Sequence, residues 1–492
     1  MAERIKYVPI DRSQTELRVF DLESLVAADH PVRVIWEVAG KMNLARFEEG
    51  CKSLEEGSGR PVWPARLLVS IWVYGYSSAV GSARALERMM EHEPALRWLS
   101  GDQKINHHTL ADFRVNHAEA LKSLFSQFLV LLEEAHVIRL STILQDGTKV
   151  RAVAGSGSLH RKKSLQKRLK RAQHVIEELD RQAEEEHEPL DQKKQAAQRR
   201  AARQAVERAT AALTRLQEWE AQTAVSKKDE LRVSTSEAEA VKMKHVDGGV
   251  SPSYNVQIST ELQSGMIVGI GVTTASNDLQ ELLPAIERVE ETTGHKPKTV
   301  IADTGYATRS NVEKTSEQGI TMIAPWKEDA SREAGACVRN DIAPGFWPSA
   351  FQPQSNKKLV CPAGKTLVLI GQRKHHGVQK DVFSAREEDC AACAWRRQCC
   401  GLREGPRQVR RVVETKAMKK YLARMDNPRV QELYKKRSQI AEFPHLWAKA
   451  VKKWRRFSVR GVIKAGSEAL WVALAYNISQ WIRLGAPVAM AA

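Results

Sequence analysis

The 492-residue sequence predicts an α/β protein: a mixed sheet at its core, an all-α segment ahead of the sheet and a long helical hairpin inserted into it. Three observations predict this. Short apolar, β-branched runs recur between 142 and 324, separated by two segments of helical periodicity. Residues 1–138 carry apolar side chains at helix spacing. Residues 159–222 are charged and nearly free of aromatics, with leucines and alanines stepping by three and four.

In the first segment, Gly59-Arg60-Pro61 opens a run in which Leu67, Leu68, Ile71 and Trp72 recur at helix spacing. Tyr74-Gly75-Tyr76 follows, then a helix over Ser82 to Met90 and a further one after His107-His108-Thr109, with Thr109 as N-cap for Leu110 to Arg114. Short helices joined by tight polar turns are how helix-turn-helix modules are built, and Arg84, Arg88 and Arg114 are the cations available to phosphates or base edges.

The first strand is Thr142 to Val150, carrying Asp146. After Ala154-Gly155-Ser156-Gly157-Ser158 comes the hairpin: Leu165, Leu169, Ala172, Ile176 and Leu179 on one arm, Ala202, Val206, Ala209, Leu213 and Leu216 on the other, with Glu188-Pro189 between them. Such an arm serves dimerisation or spans DNA. Strands resume at Tyr254 to Thr260 and Met266 to Thr274. A helix is expected from Asp278 with Gly294 as its stop, then a strand from Lys298 to Ala302, a helix from Ser310 to Gln318 and a strand from Ile320 to Ala324. Strand, strand, strand, helix, strand, helix, strand, with one acid on the first strand and another just past the fourth, is the RNase H-like arrangement. It brings both acids to one edge of the sheet.

Trp326 to Gly405 reads as a loop-rich second insertion, holding His375-His376 and the late cysteine cluster Cys361, Cys390, Cys393, Cys399 and Cys400, and helical pattern returns at Glu414. The expected organisation is a helical DNA-binding domain over 1–138, a catalytic core over 139–158 and 223–326, the hairpin over 159–222, a cysteine-containing insertion over 327–413, and helices over 414–492 that complete the core.

Three acids stand in settings suited to metal-dependent phosphodiester chemistry. They are Asp146 in Leu144-Gln145-Asp146-Gly147-Thr148, Asp303 in Ile301-Ala302-Asp303-Thr304-Gly305-Tyr306, and Glu442 in Tyr434-x2-Arg437-x4-Glu442-x6-Lys449. Cleaving a phosphodiester needs a nucleophilic water, a neutralised phosphate and a stabilised leaving oxygen, and two divalent ions about 4 Å apart supply all three. Mg²⁺ keeps several waters, so a few carboxylates suffice to hold it. Each acid alone also reads as a turn former or helix cap, and Glu442 as an exposed helical acid. Glu442 and Lys449 are two helical turns apart and share a face, with Pro444 between them predicting a kink or a restart.

The formal charge of +17 points to a polyanionic partner. From Leu446 to Lys464 there are seven cations, Lys449, Lys452, Lys453, Arg455, Arg456, Arg460 and Lys464, and no acid, with Trp447, Trp454 and Phe457 interleaved. No apolar run approaches the ~18 residues of a membrane span, and the N-terminus has no secretory pattern, so a cytoplasmic protein is expected. Seven cysteines are an odd count for a disulfide framework. Cys390-x2-Cys393, with Cys361 and Cys399 or Cys400, is a usable Zn²⁺ knuckle; the alternative is a set of reduced, partly buried thiols.

Taken in order, these motifs resemble the DDE transposases of bacterial insertion sequences, in the branch with a Tyr-Arg-Glu-Lys signature around its third acid. The resemblance runs from the N-terminal helices through Asp146-Gly147-Thr148-Lys149, Lys244-x2-Asp247-Gly248-Gly249 leading into Tyr254-Asn255-Val256, and Asp303-x-Gly305-Tyr306, to the C-terminal signature. It departs in spacing: four residues separate Arg437 from Glu442 where the commoner form has three, which turns a helix by about 100 degrees. The resemblance implies a triad of Asp146, Asp303 and Glu442 on an RNase H-like core. It would hold two Mg²⁺ ions, with Mn²⁺ able to substitute, cut DNA at the element's ends and join the 3′-hydroxyl to target DNA. It also implies that Tyr434, Arg437 and Lys449 grip phosphates and that the N-terminal helices recognise the terminal inverted repeats. From their placement, Lys452, Lys453, Arg455, Arg456 and Arg114 are expected to contact DNA, and the protein is expected to work as a homo-oligomer on double-stranded DNA. The alternatives are a non-catalytic DNA-binding protein and an RNase H-like nuclease without strand transfer.

Overall fold

The computed structural model describes residues 21–49, 61–185, 189–222, 225–326, 335, 337–375 and 378–485. Gly59, Arg60, Glu188, His376 and the extreme N-terminus, all used above, lie outside the described residues. The chain divides into two compact units, 1–127 with 474–492, and 128–473.

Among the described residues of the first unit are the helices α1 (Pro31–Lys41), α2 (Ala45–Glu48), α3 (Ala65–Ser77), α4 (Ala83–Met89), α5 (Pro94–Ser100) and α6 (His107–Asn116). Trp72, Ile71, Leu86, Ala95, Leu96 and Leu110 are fully buried among them. The Trp72 indole donates to the Leu110 carbonyl at 3.0 Å, tying α3 to α6. Helix α6 begins two residues before the expected Thr109, because Asn106 caps it by accepting from the His108 amide at 2.7 Å. Arg114 is turned inward: it stacks 4.6 Å from the Trp72 ring and donates to the Gly81 carbonyl at 2.7 Å. That geometry replaces the expected phosphate contact. Arg84 and Arg88 stay exposed on α4.

A helix α7 (Ala118–Glu134) precedes the second unit's first strand, β1 (Thr142–Arg151). The short pair β2 (Leu159–His160) and β3 (Val233–Ser234) closes the base of two long helices, α8 (Lys162–Glu185) and α9 (Pro189–Gln222), where Leu165, Ala212, Leu216 and Val233 form a local core. Then come β4 (Val241–Lys244), β5 (Val250–Glu261), β6 (Ile267–Thr273), α10 (Leu282–Thr293), β7 (Thr299–Ala302), α11 (Arg309–Glu317) and β8 (Thr321–Ile323). The sheet runs β4-β5-β1-β7-β8, with β6 also on β5. Strand β5 is antiparallel to β1, while β1, β7 and β8 are parallel. Helix α10 starts four residues later than expected, since the Asp278 carboxylate is engaged with Asn255 and Gln257 of β5 instead of capping a helix. Its C-terminal stop is Gly294, at φ +73°.

The segment read as loop-rich is an antiparallel five-stranded sheet: β9 (Gln352–Ser355), β10 (Lys358–Val360), β11 (Thr366–His375), β12 (Val378–Ser384) and β13 (Gln408–Val412). Between β12 and β13 lie α12 (Glu387–Ala391) and α13 (Arg396–Cys400). Phe351, Leu359, Leu367, Phe383, Cys399 and Val409 make its core. The strands carry Gln, Lys and Arg on their exposed face, which hid their alternation.

Helices α14 (Lys416–Met425), α15 (Pro428–Leu446) and α16 (Val462–Arg483) follow. Pro444 does not restart α15. The helix runs through it and widens into a π-helical turn over Trp447–Val451. The basic stretch then leaves the helix as an extended segment anchored by Trp454, whose indole donates to Glu468 at 3.1 Å, and by Phe457, packed edge-on to Trp454 and Tyr254. Trp454 and Phe457 are therefore anchors, and Lys453, Arg455 and Arg456 between and beside them are exposed.

Candidate active site

Strand register brings the first two acids together. Gln145 of β1 pairs with Ala302 of β7 in parallel, so the next residue on each strand is an acid: Asp146 and Asp303. Gly147 follows Asp146 because a Cβ there would lie 2.4 Å from Asp278 Oδ1 and 2.6 Å from Gln257 Nε2. Asp303 caps a tight turn, accepting from the Gly305 amide at 2.7 Å. That turn lets the Tyr306 ring drop into the interior, where it is fully buried.

The sheet face opposite Asp146 carries a buried polar network. Gln145 donates to Gln257 at 2.8 Å, Ser259 to Gln145 at 2.6 Å, and Asp278 Oδ1 accepts from Asn255 at 2.7 Å and from Gln257 at 2.6 Å. Tyr306 donates to Gln257 at 2.5 Å. Such a network fixes the backbone beneath the acids, because a buried polar group left without its partner costs about 1–3 kcal/mol.

On the Asp146 face, α15 crosses the sheet with Ala441 packed on Leu144, Ile301 and Ile323. Tyr434, Arg437, Ala441 and His445 are three and four apart and share that face. Arg437 pairs with Asp146 Oδ1 at 3.0 Å and His445 Nε2 lies 3.4 Å from Oδ2. Burial alone would raise the Asp146 carboxyl, but the His445 ring, Arg437 and the Gly147 amide outweigh it and hold it below the ordinary carboxylate range. Asp303 goes the other way. Burial pushes it up, the Gly305 amide and Arg437 pull it down, and the carboxylates of Asp146 and Asp278 push it further up.

Of the remaining expected residues, Lys449 is inside the site's rim, donating to Thr148 Oγ1 and, at 2.8 Å, to the Lys149 carbonyl. Burial and the cations Arg151 and Arg455 bring its amine down to about 8. The π turn breaks the ideal two-turn spacing to Glu442. Glu442 itself is exposed, one position round α15 from the buried Ala441. Lys452 lies over the Trp447 ring at 5.3 Å, and Arg456 donates to the Val153 carbonyl at 3.2 Å.

Asp146 and Asp303 are the two carboxylates that could hold a divalent cation: the register sets them side by side where the parallel pairing of β1 with β7 ends. Among the described residues no third His, Cys, Asp or Glu side chain is arranged with them as a metal-holding group. Sequence reasoning missed His445, Asp278 and the network. A signal for the network was present in the strict alternation Ser251, Ser253, Asn255, Gln257, Ser259 along one strand. His445 had no such signal.

No helix among the described residues is long and apolar enough to cross a membrane. Comparison with curated proteins gives no match. Family models match at both ends of the chain: Transposase domain (DUF772) over residues 20–116 and Transposase DDE domain over residues 360–482. The second covers α15 with Arg437, Glu442, His445 and Lys449, the helix that is laid against Asp146. Both matches are to transposase domains, and together they support a DDE transposase of the insertion-sequence type.

Proposed function

We propose that this chain is a Mg²⁺-dependent DNA transposase with an RNase H-like core, which binds the inverted-repeat ends of its own element, cleaves them and joins the freed 3′-hydroxyl to target DNA. The observation that carries this reading is the parallel pairing of β1 with β7, which sets Asp146 beside Asp303 under a helix bearing the Arg437-to-Lys449 signature. The third carboxylate in this reading is Glu442. Its support is its place in that signature.

Bound divalent ions would supply an activated water and a neutralised phosphate. The chain's own part is positional. Asp146, kept ionised by its neighbours, and Asp303 present carboxylate oxygens at one edge of the sheet. Lys449, Lys452, Lys453, Arg455 and Arg456 line a path for the phosphate backbone. Arg437, now on Asp146, becomes available to a phosphate when Asp146 takes another cation. Arg84 and Arg88 on α4 are the exposed cations for end recognition.

The test uses DNA flanking the gene, searched for inverted repeats. Asp146→Asn and Asp303→Asn are expected to bind end DNA like wild type and to yield no strand cleavage in Mg²⁺ or Mn²⁺. Wild-type cleavage by either variant would falsify the assignment. Cleaved ends that never join target DNA would leave a nuclease instead of a transposase.

A further inference from the structure

We propose that Cys361, Cys390, Cys393 and Cys399 form a structural Zn²⁺ site that fastens the five-stranded insertion, independently of the cleavage chemistry. The four thiols come from three places in the chain: the β10–β11 turn, the end of α12 and the turn after it, and α13. All four line one small cavity. A spacing of two residues between Cys390 and Cys393 is that of a zinc knuckle, and Cys361-Pro362-Ala363-Gly364-Lys365 makes a second tight turn, with Gly364 at φ +78°.

Two of the four sulfurs accept from backbone amides. The Lys365 amide donates to Cys361 Sγ at 3.2 Å and the Arg407 amide to Cys390 Sγ at 3.4 Å, the hydrogen bonds from outside the ligand set that favour a charged sulfur. Arg396 Nη1 and Arg407 Nε, on side chains that line the same cavity, are buried with no hydrogen-bond partner. Buried cationic donors without an acceptor are costly, and four thiolates on Zn²⁺ leave a net double negative charge to offset them. The insertion also has a small core, the situation in which a metal contributes folding energy outright.

As they stand, the thiols do not form a coordinated centre: among the described residues no group of three or more His, Cys, Asp or Glu is already in a metal-holding arrangement. Closure is assigned to side-chain rotation, since all four cysteines already line one cavity and a cysteine has staggered alternatives about Cα–Cβ. Cys399 is chosen over its neighbour Cys400 because it is part of the core against which Cys361 and Cys390 pack.

Elemental analysis of the full-length protein, purified without added metal, is expected to give about one zinc per chain, as a single four-thiolate site requires. After chelation, Co²⁺ should produce the thiolate charge-transfer and tetrahedral d–d absorption of a tetrathiolate centre. Cys393→Ser and Cys399→Ser are expected to lose the zinc and Cys400→Ser to keep it. Where a variant fails to fold, the Co²⁺ spectrum of the wild type decides. Zinc-free protein whose chelated form gives no charge-transfer band with Co²⁺ overturns the site, as does a Cys400→Ser variant that loses metal while Cys399→Ser retains it. A Mg²⁺ site on carboxylates gives no thiolate band, so the two assignments fail separately.

Discussion

Arg437 and Asp146 form an ion pair at 3.0 Å, with side chains only 11% and 19% exposed, so a residue expected to hold DNA phosphate is engaged with a candidate metal ligand. A guanidinium in that position competes with any cation that Asp146 would bind. Arg437→Ala is therefore expected to bind Mn²⁺ more tightly without DNA, by about threefold or more, the effect of a partly buried pair worth somewhat under ~1 kcal/mol. The same variant should bind end DNA more weakly. Free Mn²⁺ followed by electron paramagnetic resonance measures the first effect; an unchanged Mn²⁺ affinity removes the competition.

Lys449 offers a second test through pH. Its amine titrates near 8 in the folded protein, against about 10.4 for an ordinary lysine. Below pH 8 both folded and unfolded chains hold the proton and the folded state carries the cost of the buried charge. Between about 8 and 10 the unfolded chain holds a proton that the folded chain has lost, so stability rises with pH across that window. Chemical denaturation at several pH values should show this rise in wild type and not in Lys449→Met. If Lys449 meets a phosphate, end binding near pH 8 should take up a proton. Calorimetry in two buffers of different ionisation enthalpy reads that uptake directly, and its absence would detach Lys449 from DNA.

Gly147→Ala probes the support beneath the acids. The added methyl meets Asp278 and Gln257 at under 3 Å, and both belong to a saturated hydrogen-bond network with no slack. A loss of about 1–3 kcal/mol in urea unfolding is expected, the range for overpacking a buried site. Asp278→Asn with Gly147→Ala should lose no less than Gly147→Ala alone, because the clash is one of shape. A fully stable Gly147→Ala would mean the network is looser than its distances imply.

The strand order was legible because β1, β5, β6, β7 and β8 each carry an apolar, β-branched row and end at recognisable turns, even though β1 and β5 bury a polar row on their other face. The adjacency of Asp146 and Asp303 followed from that order. What escaped were features fixed by tertiary contact. The helix start at Asp278 failed because a carboxylate that looked like a cap had partners on a distant strand. The sheet of β9 to β13 failed because its polar, half-exposed strands present no clean alternation. Arg114 looked like a surface cation by type, and only the Trp72 ring and the Gly81 carbonyl make it a core residue. The face shared by Glu442 and Lys449 rested on an ideal helix, which the π turn at Trp447–Val451 interrupts.

The helical unit separates two kinds of arginine that sequence alone treats alike. Arg84 and Arg88 are exposed on α4, whereas Arg114 is buried at 7% exposure against an indole and a carbonyl. Replacing Arg84 or Arg88 by Ala should change stability by no more than about 0.5 kcal/mol. Each replacement should also reduce the slope of log affinity against log salt by about 0.9, one released counterion per lost phosphate contact. Arg114→Ala should do the reverse. Losing the charged hydrogen bonds lowers unfolding free energy by about 1.5–3 kcal/mol, and the salt slope of the protein that remains folded stays at the wild-type value. Fluorescence anisotropy on end DNA across a salt series, paired with thermal unfolding of the same three variants, makes the comparison. A reduced slope in Arg114→Ala without loss of stability would mean that the side chain leaves its pocket to meet DNA.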